Sequence, residues 1–139
     1  MSATVALSRH HSGPMETLDI NWNRIFPLVC GVQHYPWGGK PHGDRQPYIA
    51  DLVGSHASPG QPWAELWIGA HPKLPSEVQI DGHRTAPLNE LIGRFPEAIL
   101  GPKLINRGVT TLPFLLKVLD CERSPSIQAH TDQPRAASL

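Results

Sequence analysis

Residues 113–120 read PFLLKVLD, and this is the stretch that best defines the fold. Its apolar side chains stand on both sides of the chain, a pattern typical of a strand that is buried on both faces. Three further strands are predicted at residues 25–32, 63–70 and 77–80. Pro27 restricts the first to a sheet edge or makes it start after the proline. The dipeptide Asp81-Gly82 is a turn signal that closes the third.

A small helical insertion is predicted between these strands. Its apolar side chains follow helical spacing, at Leu88, Leu91, Ile92, Phe95 and Ile99. Proline inside a helical pattern interrupts the helix, so Pro96 predicts two short helices rather than one long one. Short strands with one helical insertion indicate a mainly β sandwich or jelly roll, with too few strands to close it.

The composition indicates a globular protein with no large charged surface. The chain has 139 residues, of which 40% are hydrophobic and 17% charged, and its formal net charge is zero. This balance argues against nucleic acid or an anionic membrane as partner. Cys30 and Cys121 have no metal-binding or disulfide spacing and are expected to be reduced thiols of a cytoplasmic protein. Residues 1–22 are unpatterned and are predicted to be a loose tail, within which Met15 is an alternative start.

The segment SIQAH, residues 126–130, is the strongest candidate for a metal site. In an extended strand, the side chains of Ser126, Gln128 and His130 point to one face. An imidazole and an amide oxygen two residues apart can hold a metal ion, although such a site usually needs about four ligands. The alternative is an ordinary polar strand edge.

Two charged residues stand in otherwise apolar strands. Lys117 is either a cation for a phosphate or a developing oxyanion, or a lysine that extends to solvent at a sheet rim. Glu65 shares a strand face with Trp67 and Gly69, and is either a carboxylate beside an aromatic wall or part of an exposed face. The remaining histidines have no ligand spacing and are interpreted as surface or loop residues: His34, His42, His56, His71 and His83.

Four segments in order resemble one enzyme family. They are FPLVCGVQHYPWG at residues 26–38, PWAELWIGAHP at 62–72, LPFLLKVL at 112–119 and SIQAH at 126–130. Together they resemble the type I mannose-6-phosphate isomerases, also called phosphomannose isomerases. The resemblance implies that residues 23–139 are the N-terminal portion of that family's catalytic domain. It also implies an incomplete cupin-type jelly roll with a helical insertion.

The resemblance further implies an aldose–ketose isomerase with one zinc ion. Such enzymes interconvert mannose 6-phosphate and fructose 6-phosphate through an enediol, in carbohydrate and GDP-mannose metabolism. By position, Gln128 and His130 match zinc ligands. Lys117 and Ser126 match substrate-binding residues, with Ser126 near the phosphate. Trp37 and Glu65 match positions around the sugar. The general base is not identified, and the expected protein is a cytoplasmic monomer.

The chain departs from the family pattern near its end. Thr131 and Gln133 stand where the family usually has proline and lysine. Arg135 is an alternative cation at a different position. The family's other zinc ligands, a glutamate and a histidine, and its catalytic arginine fall beyond Leu139. We therefore expect either a fragment or a truncated form, with little activity alone. The alternatives are a non-catalytic cupin-like module that binds sugar phosphate or metal, and a remnant that does not fold stably.

Overall fold

The described part of the chain forms two small antiparallel sheets and four short helices. A computed structural model describes residues 20–126. The sheets have the strand orders β1-β4-β5 and β2-β3-β6. The mainly β prediction with a helical insertion is confirmed. The elements are β1 (Leu28–Val29), β2 (Gly31–Gln33), α1 (Tyr48–Leu52), β3 (Glu65–Ile68), β4 (Glu77–Gln79), β5 (Thr85–Pro87), α2 (Leu88–Arg94), α3 (Pro96–Leu100), α4 (Pro102–Ile105) and β6 (Leu116–Leu119).

The strand predicted at residues 25–32 is divided between the two sheets. It starts after Pro27, as predicted, and Leu28 then pairs with Val78 in one sheet. Cys30 interrupts the strand, and Gly31 pairs with Trp67 in the other sheet. The prediction of a buried strand is wrong for β1, because Leu28 is 39% exposed and lines an open groove. That groove has a volume of about 540 Å³ and is largely apolar.

Strand β3 is the centre of its sheet, and the prediction at residues 63–70 is confirmed by it. It pairs with β2 on one side and β6 on the other. Glu65, Leu66 and Trp67 are all buried. After β3 the chain returns through a loop that Ser76 closes: its hydroxyl accepts a hydrogen bond from the Gly69 N–H at 3.0 Å. This loop leads directly into β4.

Strand β6 confirms the strand predicted at residues 113–120 but not its predicted burial on both faces. Leu116 and Leu119 are 55% and 49% exposed, and Phe114 just before the strand is 63% exposed. Within residues 20–126, β6 pairs only with β3, so one edge and much of its apolar surface stay uncovered. The sequence pattern correctly predicted an apolar strand, but the burial of its side chains depends on what packs against the strand.

Two separate clusters of buried side chains stabilise the two sheets. The first combines the β1-β4-β5 sheet with the helical insertion and includes Ile20, Val78, Ile80 and Leu91. Ile20, which falls within the segment predicted as a loose tail, is therefore packed in this cluster. The second cluster joins α1 to the β2-β3-β6 sheet and includes Ile49, Ala50, Trp63 and Leu66.

The helical insertion has the predicted break. Helix α2 ends at Arg94, and Pro96 begins α3. Helix α4 and strand β5 have no counterpart among the predicted elements. No helix between residues 20 and 126 combines the length and apolar character that spanning a bilayer requires.

Candidate functional site

The alternation of β3 gives it one apolar and one polar face. Leu66 and Ile68 face the apolar groove. Glu65 and Trp67 therefore point to the opposite side of the sheet, because neighbouring strand residues alternate. The register with β6 sets Lys117 directly opposite Trp67. We call Glu65, Trp67 and Lys117 the polar triad.

One carboxylate oxygen joins the three members of the polar triad. Glu65 Oε2 accepts a hydrogen bond from the Trp67 indole N–H at 2.6 Å and another from the Lys117 ammonium at 3.0 Å. The Glu65 side chain is only 12% exposed, whereas that of Lys117 is 36% exposed. A nearly buried carboxylate needs such partners, because an unpaired buried charge is costly. The predicted sharing of a face by Glu65 and Trp67 is confirmed.

The Trp67 ring is the surface on which several cationic or polar groups lie. The Lys117 Nζ is 4.6 Å from the ring centroid, within the range of a cation–π interaction. Lys73 Nζ is 5.9 Å from the same centroid. The His71 imidazole meets the ring edge-on at 4.8 Å between centroids. The sequence named Trp67 only as an aromatic wall, and it did not single out His71 or Lys73 as neighbours of that wall.

The structure shows the rim alternative for Lys117, while its role as a cation for a phosphate or a developing oxyanion stays a prediction. Its stem lies at the rim of the sheet, and part of the side chain reaches solvent, as in the rim alternative. Its ammonium is also held by Glu65 and lies over Trp67. An ammonium has three donors, so one hydrogen bond to Glu65 leaves donors for a bound anion. The arrangement can therefore present an oriented positive charge on a partly open surface.

Trp37 lies in a turn that follows β2. The Gly38 N–H donates to the Tyr35 carbonyl at 2.9 Å, and the Trp37 ring stacks on Tyr35 at 5.8 Å. Within residues 20–126, this ring packs on Tyr35 rather than on Glu65 or Lys117. The Trp37 carbonyl accepts a hydrogen bond from the Glu122 N–H at 3.0 Å, which fastens the turn to the chain after β6.

The chain after β6 leads toward the predicted metal ligands. Ser126 is exposed and is the last described residue. Gln128 and His130 lie outside the described residues, so their role as ligands stays a prediction. Among residues 20–126, no three His, Cys, Asp or Glu side chains are grouped suitably for a metal ion. Glu65 does not offer an uncommitted Oε2, because that atom already accepts from Trp67 and Lys117.

Comparison with known proteins identifies the family. The sequence profile of the phosphomannose isomerase type I catalytic domain matches residues 25–139. The mannose-6-phosphate isomerase of Schizosaccharomyces pombe is 39% identical over 116 residues, which are 83% of this chain and 27% of that protein. That of Salmonella typhimurium is 38% identical over 106 residues, 76% of this chain and 25% of that protein. The chain thus spans about a quarter of the length of these curated relatives.

Solved structures agree with this result. A mutant of phosphomannose isomerase from Salmonella typhimurium superimposes with a TM-score of 0.67 at 36% identity, covering 80% of this chain and 27% of that chain. A mannose 6-phosphate isomerase bound with zinc and yttrium gives 0.57 at 38% identity, covering 69% of this chain and 22% of that one. The predicted cupin-type fold is confirmed by these neighbours. This chain belongs to the type I phosphomannose isomerase family.

Proposed function

We propose that this chain forms the N-terminal part of a zinc-dependent mannose-6-phosphate isomerase, which interconverts mannose 6-phosphate and fructose 6-phosphate. The proposal is supported by relatives that carry this name at 39% and 38% identity. It applies to a complete isomerase, since the chain spans about a quarter of those relatives. Within it, residues 23–139 are the N-terminal portion of the catalytic domain.

The observation that carries the proposal is the polar triad. A sugar phosphate is an anion, and isomerisation between C1 and C2 develops further negative charge on oxygen. The Lys117 ammonium is held 3.0 Å from Glu65 Oε2 while its side chain stays 36% exposed. A fixed cation of this kind stabilises a phosphate or an oxyanion better than a mobile one, because it needs little reorganisation.

The other proposed contacts surround that cation. Ser126 would donate its hydroxyl to the phosphate, and Trp37 would lie beside the sugar. Glu65 contributes by holding the Lys117 ammonium in place. A general base must remove and return the proton, and we assign no residue of this chain to that role.

Gln128 and His130 are the proposed zinc ligands. Imidazole is among the ligands that zinc prefers, and an amide oxygen can complete such a site. When bound, zinc supplies Lewis-acid polarisation of the sugar carbonyl. A complete site needs about four ligands in total, so the remaining ones would come from elsewhere in the complete isomerase.

The proposed setting is a monomer in the cytoplasm, with a small sugar phosphate as partner and a role in carbohydrate and GDP-mannose metabolism. The formal net charge of zero supports this choice of partner over nucleic acid or membrane. Cys30 and Cys121 are free thiols, which suits a reducing compartment.

The experiment is a chimera in which residues 25–130 replace the matching segment of the Schizosaccharomyces pombe relative. We expect the zinc-loaded chimera to form fructose 6-phosphate from mannose 6-phosphate, and Lys117→Met to lower kcat/KM by about 100-fold or more. The matched control is Lys103→Met, which removes an equal charge from α4 and should retain activity.

The alternative function, a non-catalytic module, predicts a different result in this experiment. A folded, zinc-loaded chimera that binds mannose 6-phosphate without turnover would contradict the isomerase proposal and favour a non-catalytic module. The 139-residue chain should be assayed in parallel, with the expectation of little turnover. A rate equal to that of the chimera would contradict the assignment of the remaining ligands to other parts of the isomerase.

A further inference from the structure

Trp67 contacts both charged members of the polar triad through different parts of its side chain. Its indole N–H donates to Glu65 Oε2 at 2.6 Å. Its ring lies 4.6 Å from the Lys117 ammonium. Trp67 is itself only 5% exposed, so its position is fixed by packing within the sheet. One rigid residue therefore contacts the carboxylate and the ammonium at the same time.

Both contacts restrict the Lys117 ammonium to the same position. A free lysine side chain samples many rotamers, and confining it costs conformational entropy. The N–H of Trp67 orients the carboxylate that accepts the Lys117 hydrogen bond. The ring face attracts the same ammonium, because the quadrupole of an aromatic ring is negative above its plane. Losing Trp67 would release Lys117 from both contacts, directly at the ring and indirectly at Glu65.

The strand register makes this geometry independent of flexible loops. Trp67 lies directly opposite Lys117 in the pairing of β3 with β6, and Glu65 is two residues away on the same strand. Residues at such cross-strand positions have their Cβ atoms about 4.5–5.5 Å apart, which lets the side chains contact each other. The position of the ammonium is thus determined by sheet geometry and by one aromatic side chain.

We propose that Trp67 is a positioning residue that orients the Lys117 ammonium to receive an anionic sugar phosphate. The identity of the anion in this inference rests on the proposed function. The orientation of Lys117 by Trp67 does not depend on it. Trp67 acts through Lys117 and Glu65 and does not need to touch the substrate. Replacing Trp67 should therefore change the position of the Lys117 ammonium directly, and the affinity for the anion only as a consequence.

The test compares the wild-type protein with Trp67→Phe, which keeps a ring but loses the N–H, and Trp67→Leu, which loses both. The first readout is NMR relaxation of ¹⁵N- and ¹³C-labelled lysine, which reports the mobility of the Lys117 side chain without any ligand. We expect the Cε and Nζ groups of Lys117 to be restricted in the wild type. The restriction should be partly retained in Trp67→Phe and lost in Trp67→Leu. Unchanged Lys117 mobility in a folded Trp67→Leu protein would overturn the proposal.

The second readout is the Kd for mannose 6-phosphate, measured by calorimetry on the zinc-loaded chimera described above and on its Trp67 variants. We expect binding to weaken about tenfold in Trp67→Leu and less in Trp67→Phe. A change of this size in Kd is what the loss of one cation–π contact would cause. Lys103→Met should bind within about twofold of the wild type, since surface substitutions elsewhere have small effects. Wild-type affinity in folded Trp67→Leu would also overturn the proposal.

The two readouts separate this inference from the proposed function. If the chimera with wild-type residues binds no mannose 6-phosphate, the proposed function and the anion named here fail together. The NMR result then still decides whether Trp67 orients Lys117. A purely structural tryptophan would lower stability in both variants but leave the Lys117 side-chain mobility and the Kd of the folded protein unchanged. Thermal unfolding of each variant identifies the temperature at which it is fully folded.

Discussion

Glu65 and Lys117 are 52 residues apart in sequence, yet their side chains form a hydrogen-bonded ion pair of 3.0 Å. The pairing of β3 with β6 brings them together, and the carboxylate is the more buried partner. Because of this asymmetry, the two residues should respond differently to substitution. Removing the lysine leaves a nearly buried charge, whereas neutralising the glutamate leaves a lysine that can reach water.

Lys117→Met should lower the free energy of unfolding by about 1–2 kcal/mol, less than for a fully buried pair because solvent screens the exposed ammonium. Glu65→Gln should cost less, since the amide oxygen can still accept from Trp67. Urea denaturation measures both changes. Lys103→Met is the control, with an expected change of at most about 0.5 kcal/mol. The double variant Glu65→Gln/Lys117→Met should be less destabilised than the sum of the single variants, and strict additivity would contradict the ion pair.

Gly38→Ala should destabilise the protein. A Cβ at this position would lie 2.6 Å from the backbone nitrogen of Ala64, and backbone cannot move aside as a flexible side chain can. The turn that carries Trp37 would have to shift, at an expected cost of about 1–3 kcal/mol. Gly93→Ala in α2 is the matched control, because a Cβ there meets nothing within 4 Å. It should raise stability by about 0.5–1 kcal/mol. Equal effects of the two substitutions would contradict the close approach at Gly38.

Ser76→Ala should weaken the loop after β3, which is closed by the Ser76 hydroxyl together with a backbone hydrogen bond from the Ser76 N–H to the Gly69 carbonyl. Ser76 is fully buried, and its Oγ accepts from the Gly69 N–H at 3.0 Å. Without it, that buried donor loses its partner, at a cost of about 1–3 kcal/mol. Thermal and urea unfolding measure the loss, and amide exchange at Gly69 should become faster. Ser58→Ala, at an exposed position, should have little effect. Protected exchange at Gly69 in Ser76→Ala would argue against this role.

The hairpin between β4 and β5 should weaken in acid. The backbone N–H of His83, followed by the Arg84 side chain, lowers the pKa of Asp81 below its ordinary value of 3.8. A lowered pKa in the folded state stabilises the protein above the unfolded-state value, and this contribution is lost as pH falls through the folded-state pKa. The melting temperatures of the wild type and Asp81→Asn should therefore differ near neutral pH and converge below pH 3.8. A difference that persists in strong acid would contradict the assignment.

Local chemistry made part of this fold predictable. The alternation of residues 63–70 predicted β3 and the common face of Glu65 and Trp67. Asp81-Gly82 predicted the turn after β4, where Asp81 Oδ1 accepts from the N–H groups of His83 and Arg84, both at 2.9 Å. Pro96 predicted the break between α2 and α3. Each of these predictions depends on residues that are close in sequence. Their backbone preferences are the same wherever the segment lies in the fold.

The remaining features depend on contacts between distant residues. The apolar pattern of residues 25–32 is continuous, and nothing in it marks Cys30 as the point where the chain changes sheets. The pattern of β6 predicts apolar character, but its exposure depends on what covers it. The contact of Lys117 with Trp67 requires the register of two strands far apart in sequence. For the candidate site, the sequence therefore supplied Glu65 and Lys117 separately, and the sheet joined them through Trp67.

The change of sheet at Cys30 has a mechanical consequence. Strand β1 belongs to the sheet that packs with the helical insertion, and β2 to the sheet that packs with α1. Only one residue separates them, so neither sheet can shift far without pulling the other. Unfolding that begins in one apolar cluster should therefore spread to the other, and the two should melt as one cooperative unit despite having separate cores.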